Sequence, residues 1–371
     1  MKKILIASTA HQNSDDMVYY RYARLFRDCG YEVILATIQS DVEHDKEIGY
    51  FDLPSIQNPI HRMSLLPKYI KKLVLDLKKD DCFLFFSIDL NNLAIEASRR
   101  GVKVIKIFAE DYSRKAYSRD WIPGMLRGLA SKYIYQKEIK ASKHCCLNVF
   151  VDSATEAVYN HGEINSCVVP NYPIDIGLEY RERHFAQDNT IKMVYVGGIS
   201  EIRGIYFILS MAERLKTKIS IDLYGKTDDK GLLDTIQKSK RVNYCGVVLY
   251  DEVLNRLNDY DVGLAIFKPC YGFNYVGENT TKIFEYMQAG LPIITSDVGS
   301  LKEIVEKQTK SGIAIDYSDF DKACNIIDSF ISDPIKLEKC SVNGRTAFQN
   351  SRNWETASKV LLDKIQQTGR G

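Results

Sequence analysis

The stretch Gly277-Glu-Asn-Thr-Thr-Lys-Ile-Phe-Glu-Tyr-Met-Gln-Ala-Gly-Leu-Pro-Ile-Ile-Thr-Ser296 predicts a loop, a helix and a strand, in that order. Three short polar residues near its start could cap the helix, because their side-chain oxygens can accept from the first free backbone N–H groups. They are Asn279, Thr280 and Thr281. The apolar face of the helix is formed by Ile283, Phe284 and Met287. Gly290 ends the helix, and Pro292 begins a buried strand.

Two charged residues are unusual in such a core helix. Lys282 lies in the first turn, where the helix dipole disfavours a cation. A diphosphate bound at the start of the helix would resolve this conflict. Glu285 lies one turn later, where it could reach a sugar hydroxyl. Alternatively, both side chains are solvated on an exposed face, and the two residues alone leave both interpretations open.

The segment TTKIFEYMQAGLPIITSDVGSLKEIV, residues 280–305, resembles the donor-binding signature of glycosyltransferase family 4 and its relatives with the GT-B fold. The resemblance implies that Glu285 binds the nucleotide ribose and Lys282 the diphosphate. Many members carry a second Glu eight positions before the ribose Glu, where this chain has Gly277. Its nearest acid, Glu278, joins Asn279, Thr280 and Thr281 in the candidate donor site.

Length and composition are those of an ordinary soluble protein with two domains. The chain has 371 residues, 45% of them hydrophobic, and a net charge of +2, which gives no general attraction to nucleic acid. Its nine cysteines form no C-x-x-C pair, so free thiols in a reducing cytosol are expected. The apolar start is too short for a signal peptide, and no apolar run reaches the roughly 18 residues of a membrane span. We therefore expect a cytoplasmic protein.

The N-terminal part begins as a parallel β-α-β unit. Residues 3–8 and 31–37 are apolar strands, and a helix with an apolar face lies between them. The family's opening is similar, with a His and an Asp of the first loop facing the cleft. His11 and Asp16 correspond to these residues, and the alternative for each is an ordinary loop or helix-capping role.

The segment FFSIDLNNLAIEASRRGVKVIKIFAEDYSRKAY, residues 85–117, resembles a two-part family pattern. Asp89 matches the acid of the first part, but Ile88 stands where a His is usual. Ala109 likewise replaces the His of the second part. The rest of that second part is retained as Glu110, Asp111 and Tyr112.

Without those two histidines, the catalytic candidates are the carboxylates near the cleft. We favour Glu110 and Asp16, with His11 beside them, because a carboxylate can stabilise positive charge at the anomeric carbon and accept the acceptor's proton. In the alternative interpretation, Glu110 and Asp111 only cap the helix that follows.

A glycine loop follows strand 191–196 in the second half of the chain. Glycines after a strand let backbone N–H groups approach a phosphate closely, although such a pair is more often a simple turn. The family has the same loop, often with two basic residues. Here Gly197 and Gly198 form the turn, Gly198 occupies one basic position and Arg203 keeps the other.

Two stretches combine basic and apolar residues. Residues 60–79 carry six Lys or Arg against one acid, and residues 114–143 carry eight against two. Such basic amphipathic helices either pack on a sheet with a solvated outer face or attach to an anionic membrane surface. We therefore include peripheral association with the inner face of the cell membrane as an expectation.

Two D-x-D triplets, Asp259–Asp261 and Asp319–Asp321, could suggest a metal site. The first leads into a strand and the second opens a helix, so both are expected to be structural. With no His/Cys/Asp cluster elsewhere, we predict no metal and no cofactor.

The patterns predict an α/β protein, and the resemblance implies the GT-B type, with two Rossmann-like parallel-sheet domains facing each other across a cleft. Residues 1–170 would form the acceptor-side domain and residues 171–352 the nucleotide-sugar domain, with a last helix, about 353–371, crossing back. The resemblance implies retaining transfer from a UDP- or GDP-sugar to a glycan or polyprenyl-lipid-linked acceptor in bacterial O-antigen or capsule synthesis. A hydrolysing nucleotide-sugar epimerase of the same fold and a non-catalytic relative remain as alternatives.

Overall fold

The computed structural model describes residues 2–40, 44–118, 122–180, 185, 190–270 and 276–368. The chain divides into two units. The first consists of Met1–Ile174 together with Ala357–Gly371, and the second of Asp175–Thr356. Each unit is an α/β layer structure around its own sheet.

The first unit contains a parallel sheet which, in the described residues, has seven strands in the order β3-β2-β1-β4-β5-β6-β7. The strands are β1 (Lys3–Gln12), β2 (Glu32–Ile38), β3 (Gly49–Leu53), β4 (Cys82–Phe85), β5 (Lys103–Phe108), β6 (Leu147–Phe150) and β7 (Ser166–Val168). The strand order reverses between β1 and β4. In open parallel sheets, such a reversal leaves a crevice at the carboxyl ends of the two strands.

Helices cover the sheet of the first unit. They are α1 (Arg24–Asp28), α2 (Pro59–Asp76), α3 (Asn91–Arg99), α4 (Tyr112–Lys115), α5 (Arg127–Ser142) and α6 (Ser153–Tyr159). A π-helical segment, Asp16–Ala23, leads into α1, and a 3-10 turn, Gly124–Leu126, leads into α5. The two predicted basic stretches therefore correspond to α2 and to the α4–α5 region, of which residues 119–121 lie outside the described residues.

The second unit has six described strands, all parallel, in the order β10-β9-β8-β11-β12-β13. They are β8 (Ile191–Val196), β9 (Ile219–Tyr224), β10 (Val242–Gly246), β11 (Val262–Ala265), β12 (Ile293–Ser296) and β13 (Gly312–Ile315). Its helices are α7 (Ile205–Arg214), α8 (Lys230–Lys238), α9 (Tyr250–Arg256), α10 (Thr281–Gln288), α11 (Phe320–Ile331) and α12 (Pro334–Asn350). The order reverses here between β8 and β11. A last helix, α13 (Trp354–Thr368), contributes most of its length to the first unit.

These two sheets confirm the predicted α/β fold class. Parallel strands covered on both faces are mostly apolar, and the interior strands β4, β6, β11 and β12 are buried at every position. The predicted loop, helix and strand of residues 277–296 are also confirmed, as α10 and β12. Thr280 is the N-cap residue of α10, but its side chain makes no capping hydrogen bond.

Helix α10 is buried around its whole circumference rather than on one face. Every residue from Lys282 to Gln288 is buried. The ring of Tyr286 passes over Gly263 of β11, where an added Cβ atom would lie 2.4 Å from the ring. The Tyr286 hydroxyl accepts from the amide of Val196 at 3.1 Å and lies 3.1 Å from the carbonyl oxygen of Leu264, to which it donates. This side chain therefore joins β8 and β11 where the strand order reverses.

Gly263→Ala should lower the free energy of unfolding of the second unit by about 1–3 kcal/mol, because the methyl group overlaps a ring that has no room to move. The matched control is Gly231→Ala in α8, where the nearest atom to the added Cβ, Asp229 Oδ1, is 3.5 Å away. That change should leave stability equal or slightly higher. Urea denaturation measures both, and equal stabilities for the two variants would contradict this packing.

Candidate functional site

Lys282 occupies the first turn of α10 with its side-chain amine buried. Lys282 is only 7% exposed, so the alternative prediction of a solvated lysine is wrong. The Nζ atom lies 3.8 Å from the centroid of the Tyr195 ring and 5.4 Å from that of Phe267. It has no hydrogen-bond partner among the described residues. An ammonium in such a place lacks the polar contacts that water would give it.

The charge balance around Lys282 is unfavourable in the free protein. Burial lowers the pKa of its ammonium well below the usual value, and the nearby Arg203 lowers it further. Glu285, itself only 5% exposed, opposes this shift. The Arg203 guanidinium lies 5.6 Å from the same Phe267 ring, so two cations share one aromatic neighbour. An anion placed there would relieve their repulsion.

Two glycine-containing loops place their backbone next to Lys282. A Cβ at Gly197, whose φ is +130°, would lie 3.0 Å from Lys282 Nζ. A Cβ at Gly225 would lie 1.9 Å from the Gly197 carbonyl oxygen, so the loops after β8 and β9 can approach this closely because residue 225 is glycine. At Gly198 an added Cβ would meet open space. The loop thus leaves room for a ligand beside the two cations.

The segment before α10 is organised by local contacts. Asn279 Oδ1 accepts from the amide of Gly277 at 3.0 Å. A Cβ at Gly277 would lie 1.9 Å from Ser300 Oγ, so the packing leaves no space for a side chain at that position. Glu278 forms an ion pair with Arg352 at 2.9 Å, which occupies the carboxylate predicted to contact the donor. Lys282, Glu285, Gly197, Gly198 and Arg203 therefore form the centre of the candidate donor site, with Glu278, Asn279, Thr280 and Thr281 at the helix start.

The first unit has a separate cavity of about 350 Å³ at the carboxyl ends of β1, β4 and β5. Its polar lining includes Thr9, His11, Arg62, Ser87, Asp89, Glu110 and Tyr112. Its apolar lining includes Ala10, Pro59, Met63, Ile88, Ala116, Ile122 and Ile134. The cavity lies where the strand order of this sheet reverses.

Two of the three predicted catalytic residues meet at this cavity. His11 lines it, and its Nδ1 atom lies 2.7 Å from Ser8 Oγ. Glu110 also lines it and forms an ion pair with Lys115. Asp16 is not among the residues that line it, and its carboxylate is paired with the buried Arg21.

The capping roles considered from the sequence fall to the neighbouring acids. Asp15 caps the π-helical segment, accepting from the amides of Met17 and Val18. Asp111 caps α4 through the amide of Arg114, and the Tyr159 hydroxyl donates to it at 2.8 Å. Asp16 and Glu110 are thus left for other roles.

Asp89 lines this cavity but was not among the catalytic residues predicted from the sequence. Its Oδ1 accepts from Thr9 Oγ1 at 2.9 Å, while Oδ2 is buried with no hydrogen-bond partner among the described residues. Burial raises the pKa of this carboxyl to about 6, against the opposing effects of the Thr9 hydrogen bond and the Arg62 charge. Its match to the acid of the family pattern could have identified it as a site residue. Arg62, from the basic stretch, carried no such signal.

One residue of each D-x-D triplet makes a structural hydrogen bond. Asp261 accepts from the amide of Lys192 at 2.8 Å, and Asp319 caps α11. Within the described ranges, no three His, Cys, Asp or Glu side chains come together as they would around a metal ion.

Comparison with known proteins identifies relatives of both the sequence and the fold. Residues 190–333 match the family model described as glycosyl transferases group 1. A GDP-mannose-dependent monoacylated alpha-(1-6)-phosphatidylinositol monomannoside mannosyltransferase of Corynebacterium glutamicum is 26% identical over 133 residues, 36% of this chain. That match spans only about a third, 34%, of the relative's length.

Solved structures resemble the chain over nearly its whole length. HepE from Anabaena, solved in complex with UDP-glucose, has a TM-score of 0.73 at 13% identity and covers 99% of this chain and 100% of its own. WaaG, a glycosyltransferase involved in lipopolysaccharide biosynthesis, has a TM-score of 0.71 at 11% identity and covers 96% and 98%. At these identities the likeness concerns the fold. The match of residues 190–333 to this family model and the similar solved structures confirm the resemblance to sugar-nucleotide glycosyltransferases, and the chain has the GT-B glycosyltransferase fold.

Proposed function

We propose that this protein transfers a sugar from a UDP- or GDP-linked donor to a glycan or polyprenyl-lipid-linked acceptor. The observation that carries the proposal is the buried Lys282 ammonium, which has no hydrogen-bond partner among the described residues and lies beside Arg203 and the glycine loop. Two adjacent cations and open backbone at a helix start are the features that bind a diphosphate. The nucleotide sugar is then a co-substrate, and the proposal includes neither a metal nor a separate cofactor.

The donor site also explains how the leaving group would depart without a metal. As the bond from the anomeric carbon to the diphosphate breaks, negative charge grows on the departing oxygen. Lys282, Arg203 and the amides at the start of α10 are placed to stabilise that charge. The family resemblance assigns the buried Glu285 to the nucleotide ribose.

Lys282→Ala and Glu285→Ala should each weaken nucleotide-sugar binding by about ten- to a hundredfold, the effect of removing a charge-assisted hydrogen bond worth roughly 1.5–3 kcal/mol. Lys282→Met should match the loss while keeping the melting temperature equal or higher, because it removes a buried charge without leaving a cavity. Isothermal calorimetry with UDP- and GDP-sugars measures the affinities.

The control for these variants is Lys216→Ala, which removes an exposed lysine of the same unit. It should bind the donor as well as the unchanged protein. Unaltered affinity in both the Lys282 and the Glu285 variants would remove the donor-site assignment.

We further propose that the acceptor binds in the first unit, with Glu110, Asp16 and His11 as its catalytic candidates. In the transfer, the acceptor oxygen bonds to the anomeric carbon, and its proton passes to a carboxylate. The transition state is oxocarbenium-like, so a nearby carboxylate also stabilises it electrostatically. Retention of the anomeric configuration follows from the family resemblance alone.

Glu110→Gln and Asp16→Asn test these assignments. A catalytic carboxylate should lose about 10²–10⁴-fold in turnover when changed to its amide, with donor affinity nearly unchanged. Asp111→Asn is the matched control, because Asp111 caps α4 and asparagine caps a helix equally well: it should change both stability and turnover little. Near-normal turnover in both the Glu110 and Asp16 variants would show that neither residue is catalytic.

A bacterial surface polysaccharide, O-antigen or capsule, is the pathway we propose. Its support is that WaaG is described as taking part in lipopolysaccharide biosynthesis, and that the Corynebacterium relative is named for a phosphatidylinositol mannoside acceptor. The second name includes a lipid-linked glycan, and the first names the synthesis of a lipid-linked polysaccharide.

A second candidate function is a hydrolysing nucleotide-sugar epimerase. This activity needs several acids and a His around the sugar, and the cavity of the first unit brings His11, Asp89 and Glu110 together. Incubation with UDP-, GDP- and TDP-sugars, with and without acceptor lipid, separates the candidates. Nucleotide release that requires acceptor indicates a transferase; release with an epimerised sugar and no acceptor indicates the epimerase. Binding without release indicates a non-catalytic relative.

We also propose that α2 and the region from Met125 through α5 contact an anionic membrane surface. Both stretches are basic and expose large apolar side chains: Ile60, Leu65 and Tyr69 on α2, and Met125, Leu129 and Tyr133 near the start of α5. Met125 is the most exposed of these six side chains, at 96%. In the described part of the chain, every helix is too short or too polar to traverse a lipid bilayer.

Vesicle sedimentation tests this surface. Binding should require phosphatidylglycerol, fall with added salt, and weaken in Leu129→Ser/Tyr133→Ser, since apolar insertion and about 1 kcal/mol for each basic residue act together. Ile335→Ser, which changes a similarly exposed apolar residue of the second unit, should have no effect. Equal binding to pure phosphatidylcholine vesicles, or no binding to either kind, would disprove membrane attachment.

A further inference from the structure

Two buried polar atoms of the first-unit cavity have opposite hydrogen-bonding needs. Asp89 Oδ2 is an acceptor and Arg62 Nε–H is a donor, and neither has a hydrogen-bond partner among the described residues. Both residues line the cavity, and their charges interact. Leaving both atoms without hydrogen bonds in the interior costs stability. A bound group that donates to Asp89 Oδ2 and accepts from Arg62 Nε–H would remove that cost.

A hydroxyl group is the small group that fits these needs, since it accepts one hydrogen bond and donates another. We propose that Arg62 and Asp89 hold one hydroxyl of a neutral sugar in this cavity, which accepts from Arg62 Nε–H and donates to Asp89 Oδ2. The inference rests on the proposed function insofar as that sugar is the acceptor. It adds two substrate-contacting residues, neither of which was assigned from the sequence.

The rest of the lining favours a neutral sugar over a charged ligand. Asp89 and Glu110 supply two carboxylates, which would repel a phosphate, and Arg62 would repel a cation. Ile122 and Ile134 provide apolar surface for the C–H face of a sugar ring. The volume of about 350 Å³ lies within the range of small-molecule sites, about 300–1,000 Å³.

The position in the sheet supports a ligand site on independent grounds. Thr9 and His11 end β1, Asp89 follows β4, and the strand order reverses between these two strands. Ligands of open parallel sheets bind in the crevice at such a reversal. The Thr9 hydroxyl fixes Oδ1 of Asp89, which orients the carboxylate.

Glycoside binding should depend on pH through Asp89. The groups that face it are Arg62 from α2, Thr9 and His11 from β1, and Glu110 after β5. Only the ionised carboxylate accepts the hydroxyl proton, and its pKa is about 6, so affinity should fall about tenfold from pH 7 to pH 5. The dependence should persist in His11→Gln and be absent in Asp89→Asn.

The test is saturation-transfer NMR on the full chain, with UDP present and a panel of methyl glycosides of hexoses, deoxyhexoses and N-acetylhexosamines. At least one glycoside should bind, and Asp89→Asn and Arg62→Gln should each weaken it tenfold or more. Asp76→Asn, an exposed carboxylate of α2, is the matched control and should bind normally. A deoxy analogue that lacks the recognised hydroxyl should bind the unchanged protein weakly, with no further loss in Asp89→Asn.

The outcomes separate this inference from the proposed function. Failure of every glycoside to bind, or equal affinity in the Asp89 variant, the Arg62 variant and the unchanged protein, would overturn the hydroxyl site. Melting curves show whether a variant is folded, and Asp89→Asn can keep the Thr9 hydrogen bond through its own Oδ1. Glycoside binding through Asp89, together with no nucleotide release from any of the UDP-, GDP- and TDP-sugars in the presence of that glycoside or acceptor lipid, would instead overturn the transferase proposal and leave this site standing.

Discussion

The Tyr286 hydroxyl joins the two strands at which the second sheet reverses its order. It takes the amide hydrogen of Val196 from β8 and gives its own hydrogen to the carbonyl of Leu264 in β11. These strands pair directly only through Val262 and Gly263 and then separate. A tyrosine from α10 fills the gap, and Gly263 makes room for its ring. Because Tyr286 anchors α10, it also determines where Lys282, one turn earlier, is held.

Both candidate sites retain polar groups that an optimally stable core would exclude. Three side-chain atoms, Lys282 Nζ, Asp89 Oδ2 and Arg62 Nε, are buried without hydrogen-bond partners in the described parts of the chain. Burial disfavours charge in each carboxyl or ammonium, which is why the pKa of Asp89 rises and that of Lys282 falls. Local violations of the packing rules, in a fold that otherwise satisfies them, are typical of functional positions.

Sequence patterns were sufficient for the elements but not for these contacts. Apolar runs broken by glycine and polar loops predicted the two parallel sheets, α10 and the glycine loop, because each depends on local periodicity. The Glu278–Arg352 ion pair joins residues 74 positions apart, and no local sequence pattern can predict such a partner. The same holds for Tyr286, whose bonds to Val196 and Leu264 depend on how α10 packs. Arg62 appeared only as one charge in a basic helix, and its approach to Asp89 depends on the packing of α2.

The charge character of the two sites also suggests which ligand each would accept. In the second unit, Lys282 and Arg203 lie together, and Glu285 is the acid that opposes Lys282. In the first unit, Asp89 and Glu110 line a cavity with one arginine. A diphosphate would gain from the first arrangement and be repelled by the second, whereas a neutral sugar needs the mixed donors and acceptors of the cavity. Electrostatics alone would therefore direct a nucleotide sugar to one sheet and an uncharged acceptor to the other, before any shape selection acts.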